Sequence, residues 1–159
     1  KRKGILSMSP ERDNKNLWAN FAHENRGFAV GFNPKFMFEK GVITGSAGFV
    51  EYYEEDNVPK VRPFCCNDTE RVEDMMKTIF SLPKRFEDEK EYRLSKEIIN
   101  GVRNFEYCNE CLEEVLLGAY MNPKVQGEII QVVKDKYPHA VILKQNIDHS
   151  TDSYTYNKI

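Results

Sequence analysis

Apolar and polar residues alternate along several short stretches of the chain, and such alternation is typical of β-strands. The clearest case is 27–32, in which Phe28, Val30 and Phe32 share one face while small residues occupy the other. We expect the large side chains to fill a core. The small face lets another backbone or a flat ligand come close, and close packing is the favoured use. Further strands are predicted at residues 5–9, 49–53, 92–99, 139–145 and 153–159.

Other stretches carry apolar residues at the helical spacing of three and four positions. They predict helices near residues 13–25, 68–82 and 123–136. Asparagine is a good cap for a helix start, because its side-chain oxygen accepts a hydrogen bond from a free backbone N–H. Asn67 and Asn122 stand at the starts of the two later helices, which strengthens both predictions.

Together these elements predict the α+β class, with a twisted, mostly antiparallel sheet, single or split, and about three helices. Residues 112–118 form a further buried element whose type the pattern leaves open, and Asn100–Gly101 predicts a hairpin-type turn. A chain of 159 residues is expected to fold as one domain, 1–159. It begins at Lys1 without a methionine, so we expect a piece of a longer protein that lacks its amino-terminal portion.

Charge and hydropathy narrow the class of partner. The net charge is −2, which predicts no general attraction to nucleic acid or to an anionic membrane, although a local basic patch stays open. No apolar run reaches the length of a membrane span, and no targeting segment opens the sequence. We therefore expect a cytoplasmic protein with no membrane partner. The sequence identifies no specific binding partner.

The four cysteines occur as Cys65–Cys66 and as Cys108 and Cys111 in a C-x-x-C spacing. Two such pairs could form a tetrahedral zinc site. Adjacent cysteines are poor metal ligands, however, because their side chains diverge, and no histidine is near either pair in sequence. We favour unliganded thiols and no metal, with Cys108 and Cys111 packing at the start of the 112–118 element.

An acidic stretch, Phe86–Arg93, lies at mid-chain. If a strand starts near Lys90, Glu89 and Glu91 point to one face together with Arg93. Two carboxylates on one face compete for ionisation, so the pKa of one is raised unless a cation intervenes, and Arg93 is the natural cation. The alternative is that these charges only solvate the end of an element.

Two other places offer side chains suited to a binding site. Ser7 and Ser9 share one face of the predicted strand 5–9, where they line a groove or meet water. Trp18 and Phe21 lie one helical turn apart, and we expect the Trp18 ring to straddle the core and any cleft.

The order and spacing of three motifs resemble an uncharacterised bacterial domain family. Its W-x-x-[YF]-A-x-x-x-x-G-[FV] helix corresponds to Trp18–Phe28, and its E-x-E-[YW]-R strand start to Glu89–Arg93, preceded by the aromatic Phe86. Its [VI]-[IL]-x-G element corresponds to Val115–Gly118, followed by the helix Pro123–Lys136. The resemblance covers most of the chain, but the family's amino-terminal portion is missing.

The layout is also similar, more distantly, to the ADP-ribosyltransferase fold. That resemblance implies a split sheet that holds NAD, a polar residue on an early strand, an aromatic residue over the nicotinamide and a glutamate at the start of a late strand. The residues at these positions are Ser7 and Ser9, Trp18 and Phe21, and Glu91 and Glu89. The implied function is an NAD-dependent ADP-ribosyltransferase-like or NAD-glycohydrolase-like enzyme, with NAD as substrate and no certain cofactor.

Within this hypothesis Glu91 meets the substrate, Glu89 assists and Arg93 contributes to binding. A carboxylate suits the reaction because breaking the nicotinamide–ribose bond passes through an oxocarbenium-like state. The alternative is a non-catalytic binding or scaffold module, in which the acids pair with nearby basic residues. A metal-dependent hydrolase is the least favoured class, since the sequence lacks the usual spacing of histidine and acidic ligands.

Overall fold

The computed structural model describes residues 2–39, 45–98, 101 and 106–159. In chain order its strands and helices are β1 (Arg2–Met8), α1 (Lys15–Asn20), β2 (Phe28–Phe32), α2 (Pro34–Glu39), β3 (Ala47–Phe49), β4 (Glu51–Tyr53), α3 (Asp68–Ile79), β5 (Ser81–Pro83), β6 (Tyr92–Ile98), β7 (Leu112–Leu117), α4 (Pro123–Lys136), β8 (Val141–Asp148) and β9 (Ser153–Lys158). Short 3-10 helices cover Lys84–Glu89 and Asn109–Cys111. The predicted α+β class with mostly antiparallel sheets is confirmed.

The chain divides into two compact units. The first comprises Lys1–Arg12 and Gly45–Gly101, and the second comprises Asp13–Thr44 and Val102–Ile159. In the first unit, β6 lies between β1 and β3 and pairs with both in antiparallel fashion. A short parallel pair, β4 and β5, completes its strands. The predicted end of the 92–99 strand and the hairpin turn fall partly on residues 99 and 100, which lie outside the described residues.

Helix α3 of the first unit is fixed at both its start and its buried face. The Asn67 side chain accepts the Glu70 N–H at 2.9 Å, as the capping pattern predicts. On the buried face, the Asp74 carboxylate accepts the Arg62 backbone N–H at 2.7 Å and the guanidinium Nε at 3.0 Å. These bonds attach the loop before α3 to the helix itself.

The second unit is built on a four-stranded sheet of order β2-β7-β8-β9. Strands β7 and β8 run parallel and are joined through α4, while the other pairs are antiparallel. Alternate residues of β7 point to opposite faces. One face packs against α4 through Leu112, Val115, Leu117, Val133 and Ile142, and the other packs against α1 through Trp18, Ala22 and Leu116. The element at residues 112–118, whose type the sequence pattern leaves undecided, is therefore a strand in the interior of this sheet.

Helix α1 is shorter than the predicted helix. It ends early because His23, Glu24 and Asn25 adopt left-handed φ values of 48°, 54° and 63°. A glycine shortly after a helix commonly takes the left-handed position, but Gly27 does not have a positive φ here. Gly27 is instead required by close packing, because a Cβ there would lie 3.1 Å from the backbone of the preceding turn.

Strand β2 corrects the expectation that its large side chains fill a core. Phe32 packs against the α4 side of the sheet, but Phe28 is 51% exposed and Val30 is 42% exposed. The reason is position, since β2 is an edge strand of the sheet and α4 packs over β7 and β8. The small face behaves as predicted, with Ala29 packed against the α1 cluster.

Among the described residues, no helix combines the length and apolarity needed to cross a membrane.

Candidate functional site

The acidic stretch changes direction immediately before β6. Its first half is the 3-10 helix that ends at Glu89, and Lys90 then adopts a left-handed φ of 45°. The strand begins only at Tyr92. The expected strand start near Lys90 is therefore wrong, and Glu89 and Glu91 are not alternate residues of one strand. A left-handed residue between them replaces the pleat that the alternation argument assumed.

Glu91 forms a buried ion pair with Arg93. Its carboxylate oxygens accept hydrogen bonds from the Arg93 Nε at 2.7 Å and from its Nη2 at 3.0 Å. The Arg93 Nη1 also donates to the Ile79 carbonyl at the end of α3. Glu91 is only 6% exposed. Both of its oxygens are thus engaged in a bidentate, charge-assisted pair, which fixes the carboxylate in one orientation.

Tyr52 on β4 holds the backbone of the same residue. Its hydroxyl oxygen accepts the Glu91 N–H at 2.8 Å, and the Glu91 carbonyl accepts the Val50 N–H at 2.9 Å. Because the oxygen acts as acceptor here, the hydroxyl retains its own proton for another acceptor. Burial raises the pKa of Tyr52, and the negative charges of Glu91 and Glu89 act in the same direction.

Glu89 is the more accessible of the two acids, with an intermediate exposure. Burial raises the pKa of its carboxyl, the charge of Glu91 raises it further, and Arg93 opposes both effects. Glu89 therefore holds a proton more readily than an ordinary glutamate. We call Tyr52, Glu89, Glu91 and Arg93 the carboxylate cluster, because Tyr52 and Arg93 each contact Glu91 and the charge of Glu91 acts on Glu89.

The structure brings one of the two predicted serines beside this cluster. In the β1–β6 ladder Ser7 lies directly opposite Arg93, so the two side chains share a face, and Ser7 is exposed. Ser9 follows the end of β1, where its hydroxyl accepts the Glu11 N–H at 3.3 Å. Ser9 is therefore part of a local turn, outside the β1–β6 ladder.

The two predicted aromatic residues belong to the second unit. Trp18 is 3% exposed and packs with Ala22 and Leu116 in the core on the α1 face. Phe21, at the end of α1, is 72% exposed. The Trp18 ring lies in the core, as one half of the expectation states, but the other half is wrong, because the enclosed ring does not reach a solvent-accessible cleft. Of the two aromatic residues, Phe21 is the one that solvent reaches.

Within the described residues, no group of three or more histidine, cysteine and acidic side chains is arranged to hold a metal ion. The four cysteines are free. Cys111 is fully buried immediately before β7, which confirms the packing predicted for it at the start of that element. Cys108 is half-buried.

Sequence reasoning did not single out Tyr52. It precedes Glu91 by 39 residues, and an aromatic residue in a short strand is usually read as packing. The neighbouring Glu51 and Tyr53 point to the other face of this short strand, so the local pattern carries no signal for the contact between Tyr52 and Glu91. Comparison of the chain with family models, with curated proteins and with solved structures finds no match.

Proposed function

We propose that this chain belongs to a bacterial, cytoplasmic, NAD-using enzyme of the ADP-ribosyltransferase-like or NAD-glycohydrolase-like kind. The resemblance of its motifs to the uncharacterised family and to that fold supports the proposal. The observation that carries it is the pairing of a fixed carboxylate, Glu91, with a more accessible one, Glu89, at the start of β6. This is where the resemblance expects the catalytic glutamate.

The proposed reaction breaks the bond between the nicotinamide nitrogen and the ribose, and nicotinamide leaves with the bonding electron pair. Water, or a nucleophilic side chain of a target, forms the new bond to the ribose carbon and gives up a proton. A carboxylate stabilises the positive charge that develops on the sugar. A nearby carboxylate base accepts the proton of the nucleophile.

The burial of the two acids divides these roles between them. Both oxygens of Glu91 are held by Arg93, and the side chain is almost fully enclosed, so a ribose has little access to it. Glu89 is partly exposed and has a raised pKa, which suits a group that exchanges a proton with a substrate. We therefore assign substrate contact to Glu89 and the electrostatic, orienting role to Glu91, the reverse of the order expected from the sequence.

Two further residues are assigned to substrate binding. Ser7 is exposed opposite Arg93 and can donate a hydrogen bond to a ribose or phosphate oxygen. Of the two aromatic candidates, exposure favours Phe21 over Trp18 for contact with a flat ring. These assignments follow from exposure within each unit.

The test is NAD turnover by the full-length protein, measured by chromatography of released nicotinamide. Glu89→Gln keeps the shape of the side chain and removes its charge, so it should lower turnover by about 100-fold or more. Glu91→Gln should abolish turnover while circular dichroism reports an intact fold. The matched control is Glu87→Gln, an exposed acid of the same 3-10 helix, which should leave turnover unchanged.

Two results would refute the catalytic proposal. One is an unmutated full-length protein that binds no NAD and releases no nicotinamide. The other is wild-type turnover in both Glu89→Gln and Glu91→Gln. Either result leaves these acids with a structural role.

A second candidate function is a non-catalytic binding or scaffold module. The observation that favours it is the ion pairing around the acidic stretch, where Glu91 pairs with Arg93, and Lys90 donates to Glu11 at 2.6 Å. Lys84 and Arg85 pair instead with Glu54 and Glu55. Calorimetric titration with NAD separates the two functions, because a scaffold module gives no heat of NAD binding.

A further inference from the structure

The C-x-x-C segment forms a turn at the entrance to β7. Cys108 precedes the 3-10 helix, and Cys111 closes it directly before Leu112. The Cys111 N–H donates to the Cys108 carbonyl at 2.9 Å. The two cysteines are therefore the first and last residues of one hydrogen-bonded, four-residue turn, in which the outer Cα atoms lie less than about 7 Å apart. A disulfide joins residues whose Cα atoms are about 4.4–6.8 Å apart, so the turn places the two thiols within reach of each other.

The two thiols differ in access and in acidity. Cys111 is fully buried, whereas Cys108 is half-buried. Burial raises the pKa of the Cys111 thiol to about 11, and the neighbouring Cys108 contributes to the rise. A thiolate is the reactive form of cysteine, so Cys111 stays protonated and unreactive while it remains enclosed. A reagent in solution therefore meets Cys108 first.

We propose that Cys108 and Cys111 form a thiol–disulfide couple, in which Cys108 reacts with low-molecular-weight disulfides such as oxidised glutathione and Cys111 resolves the product. In the first step the Cys108 thiolate attacks one sulfur of glutathione disulfide, and one glutathione thiolate leaves. In the second step the Cys111 sulfur attacks Cys108 in the mixed disulfide and releases the second glutathione. Cys111 gives its proton to the leaving thiolate. The pair is oxidised by two electrons, and glutathione disulfide is reduced to two thiols.

The second step is favoured by position, although Cys111 is a weak nucleophile in the reduced protein. Both sulfurs belong to the same turn, which the Cys111 N–H closes by donating to the Cys108 carbonyl, so the reaction is intramolecular. Forming the disulfide should also require little movement of the backbone, because a backbone hydrogen bond already closes the turn.

The chain contains its own comparison pair. Cys65 and Cys66 are adjacent in sequence; the Cys65 sulfur lies 3.8 Å from the Asp74 carboxylate, and Cys66 is exposed. The Cys65 thiol is thus directed to a carboxylate on α3, and neighbouring side chains diverge along an extended backbone. We expect this pair to react as two separate thiols.

The experiment uses the reduced full chain, equilibrated in glutathione buffers of increasing oxidised fraction. Free thiols are then trapped with N-ethylmaleimide and the protein is digested and analysed by mass spectrometry. The expected product is a peptide that contains an internal Cys108–Cys111 disulfide, at ratios where Cys65 and Cys66 still take up the alkylating reagent or carry separate glutathiones. Cys111→Ala should instead accumulate glutathione on Cys108, because the resolving thiol is missing. Cys108→Ser should show neither product at Cys111.

Three outcomes would overturn the proposal: a persistent glutathione adduct on Cys108 in the unmutated chain, a disulfide that joins either residue to Cys65 or Cys66, or full alkylation of both residues in the most oxidising buffer. The double variant Cys65→Ser/Cys66→Ser provides the matched control and should keep the Cys108–Cys111 product. The unmutated chain alone decides the main point, so a folding defect in Cys111→Ala does not remove the test. This couple does not depend on the proposed NAD chemistry.

Discussion

At the scale of single residues, the Glu91 carboxylate is the most constrained group in the protein's candidate site. Enclosing a charge costs several kcal/mol even after the protein relaxes around it. Arg93 offsets that cost with two hydrogen bonds, at 2.7 Å and 3.0 Å, and its Nη1 donates to the Ile79 carbonyl. The pair therefore ties the start of β6 to the end of α3.

Removing the cation alone should be costly, because it leaves Glu91 charged and enclosed. Arg93→Met is expected to lower the free energy of unfolding by about 3–5 kcal/mol, measured by urea denaturation. Adding Glu91→Leu should recover much of the loss, since no buried charge then remains. Lys84→Met, which breaks an exposed pair with Glu54, is the control and should change stability little. Equal effects of Arg93→Met and Lys84→Met would contradict this account.

The raised pKa of Glu89 predicts a dependence on pH. Burial first, and the charge of Glu91 second, make Glu89 hold its proton more tightly in the folded state than in the unfolded state. Its ionisation at neutral pH therefore weakens the fold. Glu89→Gln should raise the free energy of unfolding at neutral pH.

The gain from Glu89→Gln should vanish below the pKa of the unfolded glutamate, where the wild-type side chain is neutral in both states. Denaturation curves at neutral and strongly acidic pH test this difference. A gain of the same size at both pH values would mean that the charge of Glu89 is not the cause.

At the scale of elements, α1 depends on one large side chain. The helix has six residues, too few to be stable through its own hydrogen bonds. Trp18 supplies the contact that holds it against Leu116 of the sheet.

Trp18→Ala should therefore lower the free energy of unfolding by about 3–5 kcal/mol, measured by calorimetry or denaturant titration. Phe21→Ala is the matched control on the same helix end, and its exposed ring should contribute about 0.5 kcal/mol or less. If Phe21 contacts NAD, the same control variant should weaken NAD binding without a loss of stability. Equal stability of Trp18→Ala and the wild type would refute the packing role.

Elements with local signals could be predicted from the sequence. Helices α3 and α4 begin after Asn67 and Asn122, whose side chains accept backbone N–H groups two or three residues later. Such a signal lies entirely within the first turn of the helix. The end of α1 could not be predicted in the same way, because three consecutive non-glycine residues adopt left-handed backbone there.

The site could be predicted only in part, for a related reason. The alternation of side chains along a strand predicted that Glu91 and Arg93 share a face, and the two residues do form an ion pair. The left-handed turn at Lys90 and the contact from Tyr52 depend on the packing of β4 beside the start of β6. The exposure of Phe28 and Val30 likewise depends on which strand lies at the edge of the sheet, and alternation within a strand carries no information about strand order.

At the scale of the whole molecule, the chain contributes two separate segments to each unit. Lys1–Arg12 and Gly45–Gly101 make the first, and the intervening and following residues make the second. Neither unit is one continuous stretch, so a single cut in the chain releases neither of them intact. Both units must also close long loops as they fold, which slows folding relative to structures with local contacts.

Strand β2 has a consequence for the behaviour of the protein at high concentration. An edge strand presents one side of its backbone to solvent, and an apolar edge is a template on which a second chain can add by β-pairing. Phe28 and Val30 make this edge apolar. The strand has only five residues, and Pro34 begins α2 shortly after it ends. The shortness of β2 and the nearby proline therefore limit how far intermolecular pairing, and with it aggregation, can extend along this edge.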